Sequence, residues 1–247
     1  MTEYLNTDSG RRIAYNRSAG TGTGIVFLGG FMSDMEGTKA VRLEAWAKAQ
    51  GRPFLRFDYS GHGQSEGVFT DGSIGEWAED AKAAIEALTD GPQVLVGSSM
   101  GGWIALLLTQ NMPQKIAGLV GIAAAPDFTE DSMWAGFTPA QKAELSDNGV
   151  VLLPSGYGEP YPITAKLIED GRQNLVLRTP LRLPFPVRFL QGTHDSSVKR
   201  SVALRLLDHA DGDDVRLQFV KGADHSFSTP DCMDIIETAI LEVLSRL

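Results

Sequence analysis

Val94-Leu95-Val96-Gly97-Ser98-Ser99-Met100-Gly101-Gly102-Trp103 passes from a short apolar run, through glycines that flank a serine, into a helical pattern. A wholly apolar run of this length reads as a strand covered on both faces, residues 94–96, and residues 101–110 read as a helix. Where a strand turns directly into a helix, the corner residue is held in a strained backbone conformation, so the positions two residues to either side must be small. Gly97 and Gly101 satisfy this around Ser99, whereas Ser98 has no glycine two residues before it. Such a turn lifts the Ser99 hydroxyl out of the sheet. It also aims the Met100 amide, at the start of the helix, where negative charge on an oxygen would develop during acyl transfer. Ser99 is therefore the expected nucleophile and Met100 the first expected oxyanion donor.

A serine hydroxyl is too weakly acidic to attack unaided; a histidine must take its proton, and a carboxylate must orient that histidine. The chain has four histidines, His62, His194, His209 and His225. His225, within Gly222-Ala223-Asp224-His225-Ser226-Phe227, follows the last predicted strand and completes the order serine, acid, histidine. Asp195, in Gly192-Thr193-His194-Asp195, stands directly after a strand ending at Gln191 and is the expected acid. Asp127 follows the preceding strand and is a reserve position, while Asp224 is too near His225 in the chain to turn back on its ring. In Leu28-Gly29-Gly30-Phe31-Met32 the glycines let the backbone approach a ligand, which makes the Phe31 amide the expected second oxyanion donor. Asp58, in Asp58-Tyr59-Ser60-Gly61-His62-Gly63-Gln64-Ser65, is expected to tie down a turn through backbone hydrogen bonds.

Outward from the corner, strand and helix patterns alternate. A hairpin is expected at Glu3–Asn6 and Arg12–Ser18, then strand Ile25–Leu28, helix Thr38–Ala49, strand Phe54–Phe57, a helix over 73–88, and strand Ile116–Ile122 after the central unit. The rhythm resumes with a strand over 187–191, helix Arg200–His209, strand Val215–Val220 and a helix over 233–244. Alternation of this kind implies an α/β fold: a mostly parallel central sheet with helices on both faces. Residues 127–184 break the rhythm with short helical pieces and the turn-rich Pro154-Ser155-Gly156-Tyr157-Gly158-Glu159-Pro160. They read as a helical lid inserted into one core domain formed by residues 1–126 and 185–247, with Trp134, Phe137, Leu145, Leu152 and Tyr161 available for an apolar underside.

The 247 residues suffice for one domain with a sizeable core. Acidic side chains outnumber basic ones, 31 to 22, for a net charge of −9 without any Lys or Arg run, which argues against nucleic acid as a partner. No stretch approaches the roughly 20 apolar residues of a membrane-spanning helix, and the polar opening segment does not read as a secretory signal. Cys232 is the only cysteine, so an internal disulfide is excluded, and nothing around it supplies a base for a reactive thiol. A reducing compartment, cytoplasm or organelle matrix, fits best. Scattered carboxylates and the lack of a His-x-x-x-His pair give no metal-ligand spacing, and the expected chemistry needs no cofactor.

Gly37-Thr38-Lys39-Ala40, Phe57-Asp58-Tyr59-Ser60-Gly61, Asp90-Gly91-Pro92-Gln93 and the extended corner from Val96 to Trp103 together resemble acyl-protein thioesterases of the α/β-hydrolase family, over nearly the whole chain. The resemblance implies the α/β-hydrolase fold and a serine hydrolase that removes long acyl chains from cysteine thioesters or cleaves activated acyl esters. Its substrate would be a small acyl ester or an S-acylated protein. It carries over Ser99 as nucleophile, Asp195 as acid and His225 as base. The similar enzymes are mitochondrial, and this chain departs from them in showing no evident presequence, so a cytoplasmic location is expected. It also has Gly29-Gly30-Phe31 where they tend to have proline, glycine and an aromatic, and it matches least over 127–184. A serine at the corner argues against dehalogenase or epoxide hydrolase chemistry. Hydrolysis of a C–C or amide bond by the same residues, or a non-catalytic ligand-binding protein on this fold, remain the alternatives.

Overall fold

The computed structural model describes residues 2–154 and 160–247. In chain order these form β1 (Glu3–Asn6), β2 (Arg12–Ser18), β3 (Ile25–Leu28), α1 (Thr38–Ala49), β4 (Phe54–Phe57), α2 (Ile74–Leu88), β5 (Gln93–Ser98), α3 (Met100–Asn111), β6 (Ile116–Ile122), α4 (Pro139–Asn148), β7 (Val150–Leu153), β8 (Tyr161–Thr164), α5 (Ala165–Gln173), β9 (Leu181–Arg182), β10 (Val187–Gly192), α6 (Arg200–His209), β11 (Ala210–Asp211), β12 (Val215–Val220) and α7 (Pro230–Leu244). Eight strands of the described residues make one sheet in the order β1-β2-β4-β3-β5-β6-β10-β12. β1 and β2 pair antiparallel with each other, and β2 does so with β4; from β4 to β12 every pairing is parallel. The expected α/β-hydrolase architecture is the one found.

A parallel pair cannot be joined by a tight turn, so each crossover carries a helix back across one face. The apolar runs are buried throughout because both faces are covered: β3, β4, β5 and β10 have no exposed position. Their side chains alternate between two cores. Ile25, Phe27, Val94 and Val96 face α1 and α7, packing with Leu43, Ile236 and Ile240. Val26, Leu28 and Leu95 face the other way, toward α2 and α3 with Trp77, Trp103 and Leu106. Every strand end that the site needs therefore emerges at one edge of the sheet.

Between β6 and β10 lies the segment expected to be a helical lid. It does hold helices: a π-helical turn at Thr129–Trp134, then α4, opened by a Thr138–Gln141 capping box, and α5. It also holds an antiparallel hairpin, β7 with β8, which the helical expectation left out. The β-branched start Val150-Val151 and the turn-rich stretch behind it favour a hairpin; of that stretch, residues 155–159 lie outside the described residues. The underside is also smaller than expected. Phe137 and Leu145 are buried and Trp134 and Tyr161 half-buried, but Leu152, with Pro162 opposite it, faces solvent at 58% exposure. Trp134 lies under two cations, Lys142 and Arg172, each 4.6 Å from its ring. Among the described residues no helix is long and apolar enough to cross a membrane.

Asp127, just after β6, pins this segment. Its fully buried carboxylate accepts from the Val176 and Leu177 amides at 2.8 and 3.0 Å and from Arg178 at 3.1 Å. Burial pushes its pKa up, and the two amides and the guanidinium oppose that push. Removing the carboxylate leaves two buried amides without acceptors. Asp127→Ala is expected to lower the unfolding free energy by about 2–4 kcal/mol, read as a fall in the urea midpoint.

Candidate active site

The turn from β5 into α3 places Ser99 at φ 55° and ψ −117°, a left-handed conformation that costs a non-glycine residue roughly 1–3 kcal/mol. Its neighbours hold it there. The Ser99 amide donates to Ile122 O at 2.9 Å, and its carbonyl accepts from the Gly102 and Ala125 amides at 2.9 and 3.1 Å. The flanking glycines are required by space: a Cβ on Gly97 would lie 2.4 Å from Gly101 O, and one on Gly101 would lie 2.1 Å from Leu28 O. The spacing that singled out Ser99 in the sequence is thus a packing constraint between β3, β5 and α3.

Two loops at the same sheet edge bring up the partners. The loop after β10 and the loop after β12 are zipped by Thr193 N to Val220 O at 3.0 Å, His194 N to Ala223 O at 2.9 Å and Gly222 N to Thr193 Oγ1 at 2.9 Å. Gly192 permits that approach, since a Cβ there would sit 2.2 Å from Ala223 O. The result is a continuous chain of side chains. His225 Nε2 is 3.1 Å from Ser99 Oγ, and His225 Nδ1 is 2.9 Å from Asp195 Oδ2. The Asp195 side chain is fully buried and that of His225 is 20% exposed. Burial alone would raise the Asp195 pKa, but hydrogen bonds from His225, the Val198 amide and Gln191, with the nearby imidazole, hold it below the usual range. An ionised Asp195 accepts the Nδ1–H, which leaves Nε2 free to accept from the serine hydroxyl.

Of the two expected oxyanion donors, Met100 follows Ser99 in the chain and Phe31 lies on the loop after β3. Met100 is the first residue of α3, where an amide has no carbonyl four residues back to bond. The loop after β3 runs beside the nucleophile: a Cβ on Gly30 would stand 3.6 Å from Ser99 Cβ, and Gly30 O is held by the Ser33 amide and hydroxyl at 3.2 and 2.8 Å. The Phe31 ring then anchors that loop. It makes edge contacts with Phe69 and Trp77 of the core at 5.0 and 6.1 Å, and with Phe128 and Tyr161 from the 127–184 segment at 5.8 Å each.

The other residues weighed in the sequence fall elsewhere. Asp127 is committed to the backbone at Val176 and Leu177, so it cannot serve as the reserve acid. Asp224 accepts from the Phe227 amide at 3.1 Å within its own loop. Asp58 accepts from Met35 and Gln64 amides at 2.6 and 2.8 Å, a turn-holding arrangement. His62 is buried among Tyr59, Phe69 and Trp77, and burial drops its pKa to about 4. His209 Nε2 lies 2.6 Å from Thr179 O, and His194 is exposed. Cys232 is buried in α7. Among the described residues no cluster of His, Cys, Asp or Glu could hold a metal ion. Two contributors escaped the sequence reading. Gln191 donates to Asp195 Oδ2 at 2.9 Å, and Lys39 of α1 donates to Ser226 O at 2.5 Å, bracing the His225 loop. The available signal for Gln191 was an amide at the end of a buried apolar strand, an unusual place for one.

Comparison with known proteins places this geometry. The family described as Hydrolase_4, serine aminopeptidase S33, matches residues 24–151. The bovine protein named mitochondrial palmitoyl-protein thioesterase ABHD10 is 33% identical, across 99% of this chain and 80% of its own length. A crystal structure of a putative hydrolase from Agrobacterium vitis S4 superposes with a TM-score of 0.95 at 39% identity, covering 98% of both chains. Mouse α/β hydrolase domain-containing protein 10 superposes with a TM-score of 0.92 at 31% identity, covering 99% of this chain and 98% of the mouse one. The relatives also overturn the expected cytoplasmic location: the cattle, orangutan and human proteins, each matched over 99% of this chain, are named as mitochondrial. A lone cysteine, which can form no internal disulfide, does not separate these compartments. By sequence, fold and the disposition of its residues, the chain belongs to the α/β-hydrolase family.

Proposed function

We propose that the protein hydrolyses carboxylic esters or thioesters, with Ser99 as nucleophile, His225 as general base and then acid, Asp195 as the orienting carboxylate, and the Met100 and Phe31 amides as the oxyanion hole. The observation that carries this reading is the unbroken hydrogen-bond chain from Ser99 through His225 to Asp195, at 3.1 and 2.9 Å. Ser99 Oγ adds to the acyl carbonyl as its proton passes to His225 Nε2. The carbonyl oxygen becomes an anion facing the two amides. When the C–O or C–S bond breaks, His225 returns the proton to the leaving alcohol or thiol, and an acyl-Ser99 ester remains. Water, losing a proton to the same imidazole, then attacks this ester; the carboxylic acid leaves and Ser99 regains its proton. Asp195 stays ionised throughout and balances the imidazolium.

The bovine and mouse relatives that carry the name palmitoyl-protein thioesterase favour acyl thioesters, including S-acylated protein, among the substrates of this class. We assign the core to residues 1–126 and 185–247 and the covering role to 127–184, whose Phe128 and Tyr161 meet the Phe31 loop directly beside Ser99. The acyl chain is then read by this aromatic contact.

Three substitutions test the reading. Ser99→Ala is expected to abolish both labelling by a fluorophosphonate probe and turnover of butyryl and longer acyl thioesters; a native protein that is neither labelled nor active would refute the assignment. Asp195→Asn should lose about four orders of magnitude in kcat, and fluorophosphonate labelling of Ser99 should slow with it, because the imidazole is left in the wrong tautomer to take the serine proton. Phe128→Ala removes a ring that packs on both Phe31 and Trp103. It is expected to raise the kcat/KM ratio of long over short acyl thioesters by about tenfold, the worth of one well-filled methylene or more.

A further inference from the structure

Gln191, the penultimate residue of β10, is 1% exposed, so its amide hydrogens must find acceptors inside the protein. Its Nε2 lies 2.9 Å from Asp195 Oδ2, 3.3 Å from Val198 O and 3.4 Å from Gly192 O. All three are acceptors, which fixes the nitrogen rather than the oxygen of the amide on this side. The Oε1 atom is buried with no hydrogen-bond partner among the described residues. The residue thus leaves one polar atom unsatisfied and directs its donor at a carboxylate.

The oxygen it reaches is the one that matters. Asp195 Oδ2 accepts from both Gln191 and His225 Nδ1, while Oδ1 accepts from the Ser197 and Val198 amides at 2.8 Å each. Val198 closes the circuit, since its amide holds Oδ1 and its carbonyl holds Gln191. With donors on both oxygens, rotation of the carboxylate away from the imidazole would break several bonds together. We infer that Gln191 is a positioning residue for the hydrolysis proposed above: its Nε2 holds the Asp195 carboxylate anionic and turned to His225. The inference rests on the Ser99–His225–Asp195 reading.

The charged and titratable groups nearby leave this pair isolated. His225 is the imidazole in contact with it, and Asp224 and Lys39 are turned to the Phe227 amide and Ser226 carbonyl. His194, Lys199, and Arg200, Arg205 and Asp208 of α6 are exposed, as are Arg216 and Lys221 at β12 and Asp231, Asp234 and Glu242 of α7. Glu237 of α7 pairs with Arg42, and Arg188, at the far end of β10, pairs with Asp214 and Glu242. A carboxylate introduced at 191 therefore meets Asp195 directly.

Q191E separates positioning from mere packing. When protonated, glutamic acid has the shape of glutamine and still donates to Asp195; when ionised, it sets two carboxylates against each other, and its donor is gone. The ratio of Q191E to native kcat on an acyl thioester is expected to fall at least about tenfold as pH rises from about 6 to about 9, with KM unchanged. Q191L, which has no donor at any pH, is expected to lower kcat by about tenfold across the range without that pH trend. A Q191E profile that parallels the native one, or a folded Q191L with native kcat, overturns the inference. If Q191L fails to fold, the Q191E ratio decides alone. Fluorophosphonate labelling of the native protein at Ser99 keeps the two proposals apart: native protein that is unlabelled and inactive overturns both, whereas labelled, active native protein whose profile Q191E reproduces overturns only this one.

Discussion

The left-handed backbone at Ser99 is the constraint to which the surrounding architecture answers. A residue bearing a side chain resists φ near 55°, and here it is kept there by backbone hydrogen bonds to β6 and the loop after it, and by an approach of α3 to the ends of β5 and β3 so close that neither Gly97 nor Gly101 could carry a methyl group. Those contacts exist only because β5 lies between β3 and β6 in the sheet. The strand order and the exposed hydroxyl are therefore one fact seen at two scales: without the parallel neighbours on either side, nothing would hold the corner.

The same sheet edge explains how residues 99, 195 and 225, far apart in the chain, come within hydrogen-bond distance. Parallel strands all point their carboxyl ends one way, so the loops after β5, β10 and β12 emerge side by side. β10 and β12 are neighbours, and the backbone bonds between their following loops set Asp195 against His225 before any side-chain attraction acts. Burial would raise the Asp195 pKa, and the four donors that converge on that carboxylate oppose this and hold it an anion at the end of the chain.

Much of this was legible in the residues themselves because strong local rules were at work. Short apolar runs bounded by glycine can only be covered strands, and a small-x-Ser-x-small corner between strand and helix leaves one residue at the apex. Placement directly after the strand ending at Gln191 favoured Asp195, with Asp127 kept in reserve, and a position after the last strand, behind serine and acid, favoured His225. What was not legible depended on contacts across the fold. Gln191 and Lys39 act on loops that the sequence does not show to be adjacent, and Asp127 could be recognised as a structural pin only once Val176 and Leu177 were seen against it. The β7–β8 hairpin was missed because a turn-rich stretch between apolar runs was read only as an interruption of helix, and with it went the outward orientation of Leu152.

The Phe31 ring ties the segment over 127–184 to the loop beside Ser99. Two of its four aromatic neighbours, Phe69 and Trp77, belong to the part of the chain that builds the sheet, and two, Phe128 and Tyr161, belong to the segment above it. An amide proposed to face the oxyanion is thus carried by a residue whose side chain is clamped between these two bodies. Edge-to-face rings tolerate small rotations but lose their favourable alignment when one partner withdraws. Under the proposed function, sequence change in this segment can therefore alter which acyl group is received without altering Ser99, His225 or Asp195, yet it cannot be unlimited, because the same rings hold the loop on which Gly30 approaches Ser99. Divergence is expected on the outer face, at positions such as Leu152, and restraint where the segment touches Phe31.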